Sequence, residues 1–332
     1  MRVLVTGGGG FLGSHLARKL HERGDEVAVL GRNKYPQLPD AIERIQADIR
    51  DRESVVRALK GREVVYHAAS IPGIWGDYKE CYGVNVDGTQ NIIDACIENS
   101  VPRLIFTSSP SVVCGRSDLI NADESIPYPD SYLCHYSSTK ATAEQRVMEA
   151  NGQNGLHTVS LRPHLIWGPG DPHLVPRIIE KARSGKLIRV GDGHNRVSLV
   201  YIDNAVDAHL LAGDALAKGS QIGGKCYFVT DETSVNLWDW IGELLVRLKL
   251  PPVRRSISKG TAVMLGGILE GIYGVFGIRQ EPPMTRFLAE QLATSHSFDI
   301  SRARKDMGYV PRVSQAEGME KLIEFFRSGP EC

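Results

Sequence analysis

No cysteine of this chain stands in a CxxC pair. The six cysteines, at positions 81, 96, 114, 134, 226 and 332, are scattered, which excludes zinc-ribbon and thioredoxin-like spacings. Such cysteines read as reduced thiols in a cytosolic setting. The ten histidines show neither HxxxH nor HExxH, so no metal site is expected. Neither sign of charge is in excess, with 39 Lys and Arg against 39 Asp and Glu. A nucleic-acid partner is therefore not expected, because such binders carry a basic excess. The start, Met1-Arg2 running into a strand, lacks the charged and apolar regions of a signal peptide. Long apolar runs are almost absent. The exception is 260–278, GTAVMLGGILEGIYGVFGI, which approaches the roughly 20 residues that span a bilayer. Glu270 in its middle and its many glycines argue against a span. It reads either as a buried helix of a second domain or as an apolar wall or lid for a lipid substrate, with peripheral contact to a membrane surface.

Strand and helix signals alternate through the first half. Strands are expected at 3–6, 26–30, up to Asp48, in EVVYHAAS, in RLIFTSSPSVV and in HTVSLRP. Helices fit between them, at 11–23, 54–59, near 84–99 and from Tyr136 to about Asn151. This alternation predicts an α/β fold with a doubly wound parallel sheet of Rossmann type. After Pro163 the texture changes to Gly/Pro-rich loops, and beyond Asp231 the alternation ends. The expected division is a dinucleotide-binding domain at 1–162 plus about 197–231. A smaller, partly interleaved substrate domain takes about 163–196 plus 232–332.

TGGGGFLG follows the first strand and opens a helix. A helix N-terminus carries unpaired N–H groups and partial positive charge, which suit a diphosphate. Gly7 can make the turn, Gly10 can admit the pyrophosphate, and Gly13 can let the helix lie close to the strand. Phe11 and Leu12 complete the binding turn. Gly8 and Gly9 fall at the variable positions of the pattern and read as merely tolerated. The second strand ends in Leu30-Gly31-Arg32 with no carboxylate for the ribose. Arg32, helped by Lys34, favours a 2′-phosphate and hence NADP(H), with NAD(H) as the other candidate. Asp48, beside Ile49, is placed for the adenine amino group. Ala68 and Ala69 after the fourth strand let the backbone approach the cofactor.

HYSSTKATAEQ places Tyr136 and Lys140 four residues apart on one helical face. A neighbouring ammonium, or an oxidised nicotinamide, should lower the tyrosine, which can then move a proton to or from an alcohol. The fifth strand ends in Thr107-Ser108-Ser109, and Ser109 is preferred to Ser108 as donor to the substrate oxygen. His135 is expected to cap or pack near Tyr136.

TGxxGxxG, the serine after strand five and YxxxK together resemble the extended short-chain dehydrogenase/reductases. LRPHLIWGPGDPHLVPRII, VSLVYIDNAVDAH and SFDISRARKDMGY are similar to its 3β-hydroxysteroid dehydrogenase branch. They are most like the sterol-4-carboxylate 3-dehydrogenases and the 2-alkyl-3-oxoalkanoate reductases of bacterial olefin synthesis. GRNKYPQL is more like the second group. The resemblance implies Ser109, Tyr136 and Lys140 as catalytic residues, with Pro163 and His164 (after Arg162) beside the nicotinamide. It implies hydride transfer at C3 of a lipid-like substrate, and a homodimer through helices near 84–99 and 136–151. A nucleotide-sugar epimerase shares fold and triad but favours Asn where His164 stands. A dehydratase wants Asp-Glu where Pro110-Ser111 stands. A non-catalytic dinucleotide sensor has no need to keep both Tyr136 and Lys140.

Overall fold

The computed structural model describes residues 1–217 and 219–328; Cys332 lies outside them. Seven parallel strands make one sheet: β1 (Arg2–Thr6), β2 (Glu26–Gly31), β3 (Glu43–Gln46), β4 (Val64–His67), β5 (Arg103–Thr107), β6 (His157–Pro163) and β7 (Lys225–Val229). Their spatial order is β7-β6-β5-β4-β1-β2-β3, so the winding reverses between β1 and β4. Ligands of such sheets sit beyond the strand C-termini at that reversal.

Strand residues alternate between two cores. Val3, Val5, Tyr66 and Ile105 enter one cluster, and Leu4, Val65, Leu104 and Phe106 the other. With both faces buried, the strands read as near-continuous apolar runs. Helices α1 (Phe11–Glu22), α2 (Arg52–Leu59), α3 (Tyr78–Tyr82), α4 (Gly88–Glu98) and α5 (His135–Glu149) follow the first strands. A single π-type turn, Gly83–Asp87, joins α3 to α4. Further along lie α6 (Leu174–Arg183), α7 (Ile202–Ala215), α8 (Leu237–Arg247), α9 (Lys259–Val275) and α10 (Arg286–Ala293).

The sheet has one strand more than the sequence suggests. KCYFV at 225–229 pairs with β6 in parallel register. Val200–Tyr201, just before α7, pairs with Ile166–Trp167 in a separate ribbon. A four-stranded sheet joins Val235–Asn236, Arg196–Val197, His296–Phe298 and Leu119–Ala122. The loop after β5 is thus tied to a strand near the C-terminus. Trp167, Tyr201, Trp240, Leu244 and Leu322 share a core with β1 and α1, so the later segments are packed onto the Rossmann layer. The described cysteines, Cys81, Cys96, Cys114, Cys134 and Cys226, are free thiols.

The reading of 260–278 as a buried helix is overturned. Within α9 only Ala262 and Gly266 are buried, because the helix rests on its neighbour by one narrow side. A methyl on Gly266 would stand 2.6 Å from the backbone of Thr285. No helix among the described residues is long and apolar enough to cross a membrane.

α7 meets the sheet as closely as a glycine permits. A methyl on Gly213 would fall 2.0 Å from the Tyr66 hydroxyl oxygen, which is itself buried without a hydrogen-bond partner. Gly213→Ala is expected to destabilise the fold by about 1–3 kcal/mol through overpacking, less the helix-propensity gain. Tyr66→Phe removes an unpaired polar atom and is expected to be neutral or stabilising. The double variant should lose less than the sum of the single changes, read by urea denaturation as a double-mutant cycle. Strict additivity would show that the hydroxyl does not set this contact.

Candidate active site

The glycine corner is built by close approach. Gly7 sits at φ +68°, and a methyl there would come within 2.8 Å of the Ala69 backbone. Ala69 N–H donates to Thr6 Oγ1 at 3.2 Å, and Thr6 Oγ1 lies 2.6 Å from His67 Nδ1. His67 Nε2 lies 2.9 Å from Thr89 Oγ1, whose hydroxyl donates to the Asn85 carbonyl at 2.6 Å. With that donor committed, the His67 proton belongs on Nε2. Burial, then the Lys140 charge, push His67 down to about 3, so it stays neutral. This chain clamps the end of β1 to the end of β4, the point where a cofactor would cross.

Gly8 and Gly9 are not merely tolerated. A methyl on Gly8 would lie 2.4 Å from Val29 Cβ, and one on Gly9 would lie 1.8 Å from the Tyr35 ring. Tyr35 also reaches Gly31, where a methyl would lie 2.1 Å from its hydroxyl. The ring covers the glycine turn from β2, and only glycines leave it room. Gly10, by contrast, faces open space: the one atom close to a methyl there is Gly7 O at 3.2 Å.

These residues fit a dinucleotide. Helix α1 starts at Gly10 with no side-chain cap, so its first N–H groups are free to meet phosphate oxygens. A cavity of about 310 Å³ beside it is lined by Gly7, Gly10, Arg32, Asp48, Ile49 and Ala68, among others including Ala69. The structure thus brings the expected cofactor residues of both strand ends together. Arg32 is exposed at the rim. Asp48 is held by Arg50, with contacts of 2.6 and 3.0 Å, and the Arg50 hydrogen bond keeps its carboxyl below the usual range.

The proton-transfer groups lie on α5 and the loop after β5. Ser109 Oγ accepts from Ser111 N–H at 3.2 Å and lies beside Tyr136, whose ionisation it favours. Ser108 points the other way, with its hydroxyl buried and unpartnered. Lys140 Nζ donates to Thr107 O at 2.5 Å and stands 4.0 Å above the Phe106 ring. Burial pulls Lys140 down to about 7, opposed by the Glu144 carboxylate. The expected lowering of Tyr136 by this ammonium is overturned. Burial raises Tyr136 to about 12, with neighbouring Ser109 opposing, while Lys140 is turned into the strand.

Behind Lys140 lies a buried ion pair that the sequence reading did not include. Arg162 Nη2 donates to Glu144 Oε1 at 2.6 Å and its Nε donates to Oε2 at 3.0 Å. Tyr128 donates to the same carboxylate at 2.7 Å. Glu144 is eight residues past Tyr136, so YxxxKxxxE is the signal that was there to read. Asn85 was missed as well. It accepts from Ile71 N–H at 2.8 Å and donates to Thr139 at 3.0 Å, joining the π-type turn to α5. An amide between Val84 and Val86 in an apolar helix start is its only mark.

Not every expected residue joins the site. Arg162 faces α5. His164 is buried, with Nδ1 at 2.6 Å from Ser198 O and its ring against His296 and Phe298. Burial pushes it down to about 3; it and Pro163, like Ser109, Tyr136 and Lys140, line neither described cavity. His135 instead lines the wall of a larger cavity of about 710 Å³, with Cys81, Trp75, Tyr273 and Arg279. His135 packs edge-on to Tyr78. Trp75 donates to Ile278 O at 3.1 Å, which ties the end of α9 to this mouth. Arg32 lines both cavities, so they adjoin.

Known proteins share this arrangement. The sequence profile of the 3-beta hydroxysteroid dehydrogenase/isomerase family matches residues 4–256. A 2-alkyl-3-oxoalkanoate reductase of Stenotrophomonas maltophilia is 45% identical over 97% of this chain and 98% of its own. The human sterol-4-alpha-carboxylate 3-dehydrogenase, decarboxylating, is 34% identical over 98% of this chain and 88% of its own. Among solved structures, MoeE5 in complex with UDP-glucose and NAD superposes with a TM-score of 0.76 at 25% identity, covering 98% of this chain and 99% of that one. A nicotinamide dinucleotide site on a Rossmann sheet, with similarity to dehydrogenases and reductases along nearly the whole chain, places this protein in the 3-beta hydroxysteroid dehydrogenase/isomerase family of oxidoreductases.

Proposed function

We propose that the chain interconverts a 3-hydroxy and a 3-keto group on a lipid-like substrate, either a sterol or steroid or a β-keto acid, and that it prefers NADP(H). The single observation that carries the reaction is the placement of Ser109 beside Tyr136, with buried Lys140 one turn further along the same helix. A nicotinamide bound along the glycine corner would supply or accept the hydride. Tyr136, raised and therefore protonated at rest, gives its proton to the oxygen at C3 during reduction and takes it back during oxidation. Ser109 donates to the same oxygen and orients it. Lys140, bonded here to Thr107 O, would bring its positive charge to the developing phenolate, and a donor to a ribose hydroxyl, on leaving that carbonyl. The two small-molecule relatives named above act, by their names, at such a 3-position.

Arg32 supports the NADP(H) preference. It is exposed at the rim of the cofactor cavity, and no carboxylate ends β2 to claim a ribose hydroxyl. The nucleotide-sugar epimerase reading rests on the shared fold and triad; His164, where that reading favours Asn, gives it no support. A homodimer through α4 and α5 is proposed on the family resemblance.

NADPH is expected to bind more tightly than NADH by fluorescence titration, and Arg32→Asp is expected to reverse the order. A strong wild-type preference for NADH would refute the role of Arg32. Tyr136→Phe should cut reduction of a 3-keto acid by about 10²–10⁴ while leaving cofactor affinity within a few-fold. Epimerisation of a UDP-sugar without added cofactor would overturn the reaction assigned here.

The pH dependence follows from Lys140. Its proton is present below about 7 and is lost above it. Reduction should therefore slow as pH rises through that value, when the charge that Lys140 would bring to the developing phenolate disappears. Lys140→Met should be slow at every pH and lack this limb. A limb that survives in Lys140→Met would assign the titration to another group.

A further inference from the structure

One aromatic ring stands in the cofactor cavity on a backbone that opposes it. Tyr35 follows β2 and lines the smaller cavity with Gly10, Arg32, Asn33 and Asp48. Its φ is +50°, a left-handed conformation that costs a bulky residue and persists only where the surroundings impose it. Here they do. Tyr35 O accepts from Leu38 N–H at 3.2 Å and from Arg44 Nε at 3.3 Å, and Gln46 Nε2 donates to Arg32 O at 2.9 Å. Arg44 and Gln46 both belong to β3, so the sheet itself shapes the loop. The ring also rests against the core shared by β1 and α1, but core packing asks for neither a left-handed backbone nor a hydroxyl.

The hydroxyl stands at the end of β2. Gly31 is the last residue of that strand, and a methyl on it would lie 2.1 Å from Tyr35 Oη. NAD-type sites place a carboxylate at this strand end to hold the ribose hydroxyls. An acid at position 31 and the Tyr35 ring cannot coexist, because the phenol fills the space of the first side-chain atom. The ring thus bars the carboxylate and puts a different group in its place. A phenol can donate to a phosphate oxygen, whereas a carboxylate would repel it.

The surroundings suit an anion. Among the described residues the Tyr35 hydroxyl has no hydrogen-bond partner. Arg32, three residues before it, brings a positive charge to the same cavity. Asp48 is the acid that lines this cavity and feels Arg32, and its carboxylate is already held by Arg50 Nη2 at 2.6 Å. A phosphate entering here would meet a guanidinium and an unclaimed donor, with the nearby acid committed elsewhere.

We propose that Tyr35 selects the cofactor: its hydroxyl donates to the 2′-phosphate of the adenosine ribose beside Arg32, and its ring, seated between Gly9 and Gly31, excludes the carboxylate that would favour a free ribose. The assignment rests on the NADP(H) preference proposed above and gives that preference a second residue.

The test uses the full chain and two probes that differ only in the 2′-phosphate, adenosine 2′,5′-bisphosphate and AMP, titrated by calorimetry. Wild type should bind the bisphosphate more tightly. Tyr35→Phe keeps the ring and should weaken the bisphosphate about tenfold while leaving AMP within about twofold. Gly31→Ala pushes the hydroxyl aside and should relax the same preference; added to Tyr35→Phe, it should relax it little further. A Tyr35→Phe protein with wild-type discrimination overturns the proposal and leaves the NADP(H) reading standing on Arg32. Equal weakening of both probes also overturns it, since the phenol then only supports the fold. Full additivity of the two changes does the same, because the hydroxyl then does not act from the Gly31 edge. Should Gly31→Ala fail to fold, Tyr35→Phe alone decides. Wild type that binds AMP as tightly as the bisphosphate refutes the NADP(H) reading, and the role of Tyr35 falls with it.

Discussion

The geometry of the reacting groups depends on one buried carboxylate. Glu144 accepts from the Arg162 guanidinium on β6 and from the Tyr128 hydroxyl. It thereby fixes the rotation of α5 about its axis. Tyr136 and Lys140 ride on the same helix, so their positions over β5 follow from that one anchorage. The anchorage is also electrostatic, since Glu144 opposes the desolvation that strips Lys140 of its proton. Removing one member of such a pair costs about 3–5 kcal/mol, because the other charge stays buried and alone. The arrangement is thus stiff where proton transfer needs stiffness. Its stability rests on the two charges staying together, with no need for the pair to be intrinsically strong.

The cofactor side is governed by exclusion of side-chain volume. The Thr6–His67–Thr89 chain draws β1 and β4 together, and the backbone at Ala68 and Ala69 then crowds Gly7. Tyr35 leans in from the other side against Gly9 and Gly31. Between these walls, Gly10 is left open. The helix start beyond it keeps its N–H groups unclaimed. Attraction for a diphosphate is supplied by the helix end, and selectivity for its shape by the walls.

Much of this was legible in sequence for local reasons. Strand–glycine–helix patterning identified the first βα unit, and the four-residue spacing of Tyr136 and Lys140 put them on one face. Ser109 was preferred to Ser108 from its place just past the fifth strand. What escaped was decided across distance. KCYFV shows no helix leading straight into it, and only its pairing with β6 makes it part of the sheet. His164 reads as a ligand when quoted beside Arg162, yet Ser198, His296 and Phe298 arrive from 34 to 134 positions later to bury it. The glycines at 8 and 9 looked spare because what fills their space comes from elsewhere: Val29 on β2 at Gly8, and the Tyr35 ring beyond β2 at Gly9. Residues 260–278 gave their helix but not their exposure, since apolar composition is the same for a core and for an outward face.

The strand at Leu119–Ala122 leaves the Ser109 loop and pairs with His296–Phe298, and Leu119 N–H donates to Ser295 O at 2.8 Å. Closing a loop of that length is slow, since entropy must be spent before the pairing rewards it. The strands that hold the glycine corner, by contrast, lie within the first 70 residues. A chain emerging from synthesis therefore completes its phosphate-binding corner early. The wall that steadies the serine loop waits until nearly the last helix has been made. Order of manufacture divides this fold into a cofactor half that can form first and a reaction chamber that closes only when the chain is almost whole.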